Sequence, residues 1–271
     1  MLYLYKGFLI QFIPPIACFT DSKHIMSQDL HNSIVADLQQ KASSLSIEET
    51  IGLLVQSYPG AVTLSTSFSY EDQIITDIIQ TNQFPVSLFT LDTGRLFPET
   101  YSTWSRTLEY YKTSIKAYYP DADLLAEYIQ AHGPNAFYDT PELRSACCTI
   151  RKVIPLKKAL AGNTIWITGL RAEHSAARQN LTTFEWDAAN RLIKYHPLLN
   201  WTTAAVKTYI HQKGIPYNPL HDKGFVSIGC APCTRAIRPG EDFRAGRWWW
   251  EDNSKKECGL HSHEPQKKAE A

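Results

Sequence analysis

The fold is decided by one stretch of the sequence, Ala61-Val-Thr-Leu-Ser-Thr-Ser-Phe-Ser-Tyr-Glu-Asp-Gln-Ile-Ile-Thr-Asp-Ile-Ile-Gln80. Residues 61–65 are a short β-type run, and the Ser- and Thr-rich segment 66–69 that follows is typical of a turn. Isoleucines at positions 74, 75, 78 and 79 then recur at the spacing of one helical face. Because a strand, a polar turn and an amphipathic helix in this order are typical of a βαβ unit, the stretch predicts a parallel sheet.

The alternation of strands and helices extends in both directions from this stretch. Helices are predicted before it over residues 27–40 and from a capping box at Ser46 toward Tyr58. After it, the pattern predicts strands over 86–91, 115–118 and 164–168, and helices after Pro98 and over 122–130, 152–160 and 202–211. The elements together predict an α/β fold of the Rossmann-like type, with a mostly parallel sheet and flanking helices.

Composition and charge narrow the class of function. The chain has 271 residues, with 27 Lys and Arg against 27 Asp and Glu, and this balance argues against a general nucleic-acid binder. Residues 1–26 contain an apolar run that is too short and too interrupted by prolines to span a membrane. We expect these residues to be a poorly ordered or non-native extension, with Met26 as the start, rather than a signal peptide. The expected location is the cytoplasm, with no membrane partner.

Six cysteines are the most informative residues. Cys147-Cys148 and the C-x-x-C pair of Cys230 and Cys233 together supply the four sulfur ligands of either a zinc ion or an iron–sulfur cluster. Adjacent cysteines are poor ligands for one small ion, so the Cys147-Cys148 pair favours an iron–sulfur cluster, whose iron atoms are separated. The alternative is a set of inert buried thiols, since free cysteine is commonly buried. Cys18 is not expected to have a role.

The sixth cysteine, Cys258, is left over from the four-ligand set. Lys255, Lys256 and His261 lie near it in sequence, and neighbouring cations lower a thiol's pKa and favour the nucleophilic thiolate. On spacing alone, a nucleophile and an exposed thiol on a frayed tail are equally good interpretations.

Three polar turns follow predicted strands, at 65–69, 92–95 and 169–171, where ligands of a parallel sheet bind. The first precedes a helix whose N-terminal N–H groups could bind an anion, although hydroxyl-rich turns are also ordinary loops. Guanidinium groups bind phosphate and sulfate bidentately, whereas most arginines are solvated surface charges. The candidate arginines are Arg171, Arg178, Arg235, Arg244 and Arg247.

Taken together, these motifs resemble those of the assimilatory adenylyl-sulfate/phosphoadenylyl-sulfate reductases, over residues 27–261. The resemblance rests on Ser67-Phe68 with Glu71-Asp72, Leu91-Asp-Thr-Gly-Arg-Leu-Phe-Pro-Glu-Thr-Tyr101, Cys147-Cys-Thr-Ile-Arg-Lys152, Cys230-Ala-Pro-Cys-Thr-Arg235 and Glu257-Cys-Gly-Leu-His261. No single motif would identify the family, but their joint presence in this order is specific.

The resemblance implies an adenine-nucleotide α-hydrolase-like fold and a residue for each role. It implies Cys258 as the catalytic nucleophile, which would form an S-sulfocysteine and be restored by thioredoxin or a similar dithiol. It implies a 4Fe-4S cluster held by Cys147, Cys148, Cys230 and Cys233. The substrate-binding residues that it implies are Ser67, Ser69, Leu91, Lys152, Gly169, Arg171, Arg178, Arg244, Arg247 and His261. We therefore expect a reductase domain over 27–240 and a mobile C-terminal tail over 241–271 that carries the nucleophile.

Substrate choice and one departure from the family pattern remain open at this level. In the family that the chain resembles, the full set of four cluster cysteines goes with adenylyl sulfate, so the resemblance implies this substrate rather than phosphoadenylyl sulfate. Relatives usually have glycine where this chain has Ser69, and a serine suits that turn only if its φ lies in an ordinary region.

Weaker alternatives are a tRNA-thiolating or amide-forming enzyme of the same fold and a zinc-stabilised binding protein. A homo-oligomer is compatible with the sequence.

Overall fold

A computed structural model describes residues 21–174 and 178–251. Eight α-helices and six strands are found in this part of the chain. The helices are α1 (Asp21–Ala42), α2 (Ile47–Ser57), α3 (Tyr70–Thr81), α4 (Pro98–Tyr111), α5 (Ala122–His132), α6 (Pro141–Cys148), α7 (Ile154–Leu160) and α8 (Thr203–Lys213). The strands are β1 (Val62–Ser65), β2 (Ser87–Leu91), β3 (Lys116–Tyr118), β4 (Ile165–Ile167), β5 (Phe184–Asp187) and β6 (Leu192–Tyr195).

The six strands form one sheet in the order β3-β2-β1-β4-β6-β5. Every neighbouring pair is parallel except β5 and β6, which are antiparallel at one edge. Strand order reverses direction between β1 and β4, so the crevice for a ligand is expected outside the carboxyl ends of these two strands. The predicted mostly parallel α/β fold with flanking helices is confirmed.

Local sequence signals explain where the central elements begin. Ser46 accepts a hydrogen bond from the Glu49 N–H while the Glu49 carboxylate accepts from the Ser46 N–H, which completes the predicted capping box of α2. Ser69 caps α3 in the same manner by accepting from the Asp72 N–H. The isoleucines of α3 are buried against β1 and β4 in the main core. The stretch 61–80 therefore folds as its pattern predicts.

The structure differs from the predicted elements at three places. The antiparallel pair β5 and β6 was not predicted, because each strand has only four residues and includes a charged side chain, Glu185 in β5 and Lys194 in β6. Helix α6 was also not predicted, although Thr140 caps it through the Leu143 N–H. Helix α1 begins at Asp21, within the predicted extension, rather than at residue 27.

The predicted boundary after Gly240 does not coincide with the end of packing. The segment 241–251 is folded against the preceding residues, since the Arg235 N–H donates to the Gly246 carbonyl and Thr234 bridges to Arg247. Trp248, the first residue of the tryptophan run 248–250, is only 1% exposed, so this segment packs into the interior. The remainder of the predicted tail, including Cys258 and His261, lies outside the described residues.

The longest helix of residues 21–174 and 178–251 is α1, with 22 residues. Within these ranges, no helix combines the length and apolar character that crossing a bilayer requires.

A buried ion pair joins α3 to the turn that follows β4. Arg171 Nε donates to Glu71 Oε1 at 2.8 Å, and the two side chains are 2% and 8% exposed. The same guanidinium donates to Glu173, to the Trp201 carbonyl and to Thr203. Burial alone would raise the pKa of Glu71, but hydrogen bonding and charge from His174, together with Arg171, lower it to about 2.

The first prediction concerns the cost of breaking this pair. Arg171→Ala should lower the free energy of unfolding by about 3 to 5 kcal/mol, because it leaves the Glu71 carboxylate buried without its cation. Urea denaturation followed by circular dichroism would measure the loss. The matched control is Lys41→Ala, whose partner Asp37 lies four residues earlier with both side chains more than half exposed; it should cost at most about 0.5 kcal/mol. Equal losses in the two variants would contradict the structural role of Arg171.

A second prediction follows from the lowered pKa of Glu71. The folded state holds Glu71 ionised down to about pH 2, whereas the unfolded chain protonates it near its ordinary pKa of 4.5. The unfolded state therefore binds more protons between these values, and the stabilisation by Glu71 is complete above pH 4.5 and lost as pH falls toward 2. The stability difference between the wild type and Glu71→Gln should be constant from pH 7 to pH 5 and should shrink below pH 4.5. A difference that is independent of pH down to the acid limit of folding would contradict this prediction.

Candidate active site

A cavity of about 240 Å³ lies at the carboxyl ends of the central strands. Ser65 at the end of β1, Leu91 at the end of β2 and Thr168 after β4 all line it. This is the crevice expected from the change of strand order between β1 and β4. Eight of the ten predicted substrate-binding residues line the cavity: Ser67, Ser69, Leu91, Lys152, Gly169, Arg178, Arg244 and Arg247.

The turn between β1 and α3 is held together by Asp72. The Ser67 N–H and hydroxyl both donate to Asp72 Oδ2, at 2.6 and 2.7 Å. Burial raises the pKa of Asp72 to about 6, although the hydrogen bonds from Ser67 oppose this shift. The N–H and hydroxyl of Ser67, which were predicted to bind an anion, therefore donate to a carboxylate of the protein itself. An anion at this turn must replace Asp72 as the acceptor of these hydrogen bonds or use other donors.

Ser69 adopts an ordinary backbone conformation, with φ −68° and ψ 168°. A serine suits this turn only if its φ is ordinary, and the φ of Ser69 is. The turn therefore does not require glycine at this position. The left-handed residue of the turn is Phe68, with φ 61°, and its side chain is fully buried. A left-handed conformation at a non-glycine residue costs roughly 1 to 2 kcal/mol, which burial of the phenyl ring offsets.

Gly169 occupies a place where a side chain would not fit. A Cβ atom there would lie 2.5 Å from Asp72 Oδ1 and 2.9 Å from the Glu71 Cβ. The turn after β4 can approach the N-terminus of α3 only because this residue is glycine. The close approach brings the turns after β1 and β4 together around the cavity.

Cationic side chains reach the cavity from three parts of the chain. Lys152 comes from a π-helical turn, Thr149–Val153, between α6 and α7, and π turns of this kind are frequent at functional sites. Arg178 follows the β4 turn, and Arg244 and Arg247 come from the packed segment 241–251. Both of these last residues are largely buried, at 9% and 6% exposure, and they lie over the face of the Trp248 ring. An anionic ligand suits this set of cations.

Arg171 is not brought to the cavity. Its side chain is 2% exposed, and its guanidinium donates to Glu71 and Glu173 instead. The expectation that Arg171 contacts substrate is therefore not supported, because its donors are already satisfied within the protein. Of the predicted functional residues, Cys258 and His261 lie outside the described part of the chain.

Other cavity residues were not predicted. His174 stacks on Phe243 with ring centroids 4.2 Å apart, and both rings line the cavity. Gly229 lies against the Arg247 guanidinium, which a Cβ atom at this position would approach to 2.5 Å. The sequence indicated Gly229 only through its position directly before Cys230. Sequence spacing does not reveal that the Arg247 guanidinium occupies the place of a side chain at Gly229.

The four cysteines predicted as metal ligands line a second, smaller cavity. All four are free thiols, with Cys147, Cys230 and Cys233 buried and Cys148 partly buried. Cys147 and Cys148 end α6, while Cys230 and Cys233 flank a short 3-10 turn. Lys152 lines this cavity as well as the larger one, so it lies between the two sites. The structure thus brings the two sequence pairs together as predicted.

Hydrogen bonds connect the cysteine cavity to the turn after β2. The Thr93 hydroxyl lies 3.2 Å from Cys230 Sγ, and the Ala231 N–H donates to the Arg95 carbonyl. The same turn is stabilised by Asp92, which accepts from the Gly94 N–H and the Tyr101 hydroxyl. The conformation after β2 therefore positions one half of the cysteine set.

The four cysteines of this cavity fit a metal group that binds several thiolates, each at a different metal atom. Burial raises the pKa of Cys147, and burial with the charge of Cys230 raises the pKa of Cys233 to about 11, so the thiols need nearby cations to ionise. Those cations also line the cavity: Arg95, Arg144, Arg151 and Lys152. Nowhere in 21–174 or 178–251 do three His, Cys, Asp or Glu side chains converge on a single-ion site. Four cysteine thiols supplied as two pairs are a donor set that an iron–sulfur cluster accepts.

Comparisons with known proteins agree with this geometry. The adenosine 5'-phosphosulfate reductase of Allochromatium vinosum is 50% identical over 204 residues, which are 75% of this chain and 80% of that protein. The adenosine 5'-phosphosulfate reductase of Rhizobium meliloti is 45% identical over 82% of this chain and 83% of its own length. The crystal structure of phosphoadenylyl-sulfate (PAPS) reductase from Candida auris, a phosphate complex, superimposes with a TM-score of 0.63. It is 29% identical and covers 75% of this chain and 96% of that one.

A family model described as the phosphoadenosine phosphosulfate reductase domain matches residues 61–236. This range begins just before β1 and includes the cavity turns, the π-helical turn with Lys152 and all four cysteines of the second cavity. The chain belongs to the phosphoadenosine phosphosulfate reductase domain family.

Proposed function

We propose that the protein reduces adenylyl sulfate to sulfite and AMP in assimilatory sulfate reduction. The observation that carries this proposal is the pair of adjoining cavities that share Lys152, one lined by hydroxyls and arginines and the other by four thiols. Relatives named adenosine 5'-phosphosulfate reductase, at 45% to 50% identity, support adenylyl sulfate as the substrate. A reducing compartment suits free thiols, so the cytoplasm is the proposed location.

The nucleotide would occupy the larger cavity. The backbone at Leu91 and Gly169 would meet the adenosine, while the turn at Ser67 and Ser69 would hold the phosphate. Lys152, Arg178, Arg244 and Arg247 would stabilise negative charge on the phosphate and sulfate oxygens, an effect that usually dominates such catalysis. Arg171 has no direct contact in this proposal and acts by positioning Glu71.

The chemistry would proceed in two displacements. The Cys258 thiolate attacks the sulfate sulfur, a sulfur–sulfur bond forms, and the bond between sulfur and the phosphate oxygen breaks to release AMP. One thiolate of a reduced thioredoxin-type dithiol then attacks Cys258 Sγ and expels sulfite. The second thiol of the partner resolves the mixed disulfide, so the dithiol supplies two electrons and Cys258 returns as a thiol.

Cys147, Cys148, Cys230 and Cys233 would hold a 4Fe-4S cluster. When bound, this group would supply local electrostatic stabilisation beside the substrate rather than electrons. Lys152 would orient the substrate from its position between the two cavities. Arg144 and Arg151 would offset the charge of the thiolates, since both line the cysteine cavity and are largely buried.

Cys258→Ser should abolish sulfite formation. Replacing the nucleophile should lower the turnover of adenylyl sulfate with reduced thioredoxin by roughly a thousandfold or more. In the wild type, anaerobic incubation with substrate but without thioredoxin should yield an adduct of one sulfite group on Cys258, measured by mass spectrometry. The control is Cys18→Ser, which should retain wild-type turnover. Sulfite production by the Cys258→Ser variant would show that another residue is the nucleophile.

The same assay decides between the two substrates of the family. Turnover of adenylyl sulfate above phosphoadenylyl sulfate would support the proposal. Efficient turnover of the 3′-phosphorylated substrate alone would assign the protein to the branch of the Candida auris structure. Failure to reduce either substrate, in protein that carries iron, would overturn the proposed activity.

A further prediction concerns the cysteine cavity. Cys233→Ala should lower the iron content of anaerobically purified protein and remove its visible absorption, because one of four ligands is lost. Iron and zinc measured on the same sample distinguish a cluster from a structural zinc ion. Cys18→Ser again serves as the matched thiol control and should keep wild-type iron. Colourless wild-type protein with stoichiometric zinc would favour the zinc-stabilised binding protein instead.

A further inference from the structure

A chain of three side chains runs from the nucleotide cavity to the edge of the sheet. Thr168, which follows β4, lines the cavity, and its Oγ1 lies 2.7 Å from His196 Nδ1. His196 directly follows β6, and its Nε2 lies 3.2 Å from Glu185 Oε2 on β5. The His196 side chain is fully buried, and that of Glu185 is 15% exposed. None of the motifs that identify the family includes these three residues.

The contacts determine the direction of each hydrogen bond. A carboxylate can only accept, so His196 Nε2 must carry the hydrogen that Glu185 receives. Burial lowers the pKa of His196, and the charges of Lys194 and Arg178 act in the same direction, although Glu185 opposes them. The ring is therefore neutral near pH 7 and has no second hydrogen. His196 Nδ1 must accept, and the Thr168 hydroxyl must donate its only hydrogen to it.

The direction of the hydrogen bond from Thr168 to His196 limits the hydrogen bonds that Thr168 can form with a ligand. The Leu170 N–H donates to Thr168 Oγ1 at 3.4 Å, which uses one of the two lone pairs of the oxygen. The remaining lone pair can accept, and the hydroxyl hydrogen is already used. Thr168 can therefore bind a donor group in the cavity but cannot donate to an acceptor.

We propose that Thr168 is a specificity-determining residue, held as an acceptor by the positioning residues His196 and Glu185, and that it binds an N–H or O–H donor of the nucleoside. The donor is the 6-amino group of the base or a hydroxyl of the ribose. The inference rests on the proposed function, because the nucleoside is placed beside Gly169, the neighbour of Thr168 that lines the same cavity. Leu91, Leu156 and Trp166 give this cavity the apolar surfaces that a purine ring requires.

Titration of the full-length protein with AMP and matched analogues tests the proposal. Thr168→Val removes the acceptor at nearly constant shape and should weaken AMP binding roughly tenfold, whereas Thr168→Ser should restore it. The analogues are purine riboside 5′-monophosphate, which lacks the amino group, and 2′-deoxy and 3′-deoxy AMP, which each lack one hydroxyl. The analogue without the partner donor should bind the wild type and Thr168→Val equally, and its identity distinguishes the base from the ribose.

A second variant tests the positioning role of His196. In His196→Phe, the Thr168 hydroxyl can rotate, so discrimination between AMP and the analogue without the donor should fall by about fivefold or more. Nitrogen-15 NMR of the wild type should find the hydrogen of His196 on Nε2, an observation that does not depend on whether the variant folds. A hydrogen on Nδ1, or a doubly protonated ring at pH 7, would overturn the proposal.

The outcomes separate this inference from the proposed function. If the wild type does not bind AMP, the proposed function fails and the assignment of Thr168 fails with it. If the wild type binds AMP but Thr168→Val weakens all four ligands equally, or none of them, the proposed function stands and only the role of Thr168 is overturned.

Discussion

The ion pair between Glu71 and Arg171 is the interaction on which the arrangement of the site depends. Glu71 lies in the first turn of α3 and Arg171 in the turn after β4, so the pair joins the two segments that border the cavity. Gly169 permits the close approach, since a Cβ atom would meet Asp72 and Glu71. Removing two charges from water is costly, and the pair is tolerated because Arg171 also binds Glu173, Thr203 and a carbonyl. The buried guanidinium of Arg171 therefore joins α3 to the turn after β4.

The sequence predicts the centre of the sheet well because its signals there are local. The capping residue Ser69 comes directly before the twelve residues of α3, and the isoleucine pattern lies within them, so the helix forms where the pattern predicts it. The edge pair β5 and β6 carries no such signal. Lys194 in β6 is buried because Asp187 pairs with it at 2.9 Å across a strand pair, and a local pattern gives no indication of that partner. A four-residue strand that contains a charged residue therefore has the sequence pattern of a loop.

The prediction of the candidate site is limited in the same way, because a local sequence pattern does not indicate distant partners. Eight of the ten substrate-binding residues that the family resemblance implies line the cavity. The structure does not bring Arg171 to the cavity, because its guanidinium binds the carboxylate of Glu71, which lies 100 residues earlier in the chain. His196 and Glu185 were not predicted, since neither contacts the cavity directly.

Charge balance explains why this cavity suits an anion. The described side chains that line it include four cations, Lys152, Arg178, Arg244 and Arg247, and two carboxylates, Glu71 and Asp72. Arg171 pairs with Glu71 as well as with Glu173, and the lining of the cavity itself has two more cationic than anionic side chains. Asp72 accepts both donors of Ser67, and burial raises its pKa to about 6. A ligand with two negative charges could therefore take over these donors while the cations compensate its charge. In the proposed complex, the same carboxylate would oppose an anion bound too close to the turn, so repulsion from Asp72 and attraction to the arginines would together position the phosphate.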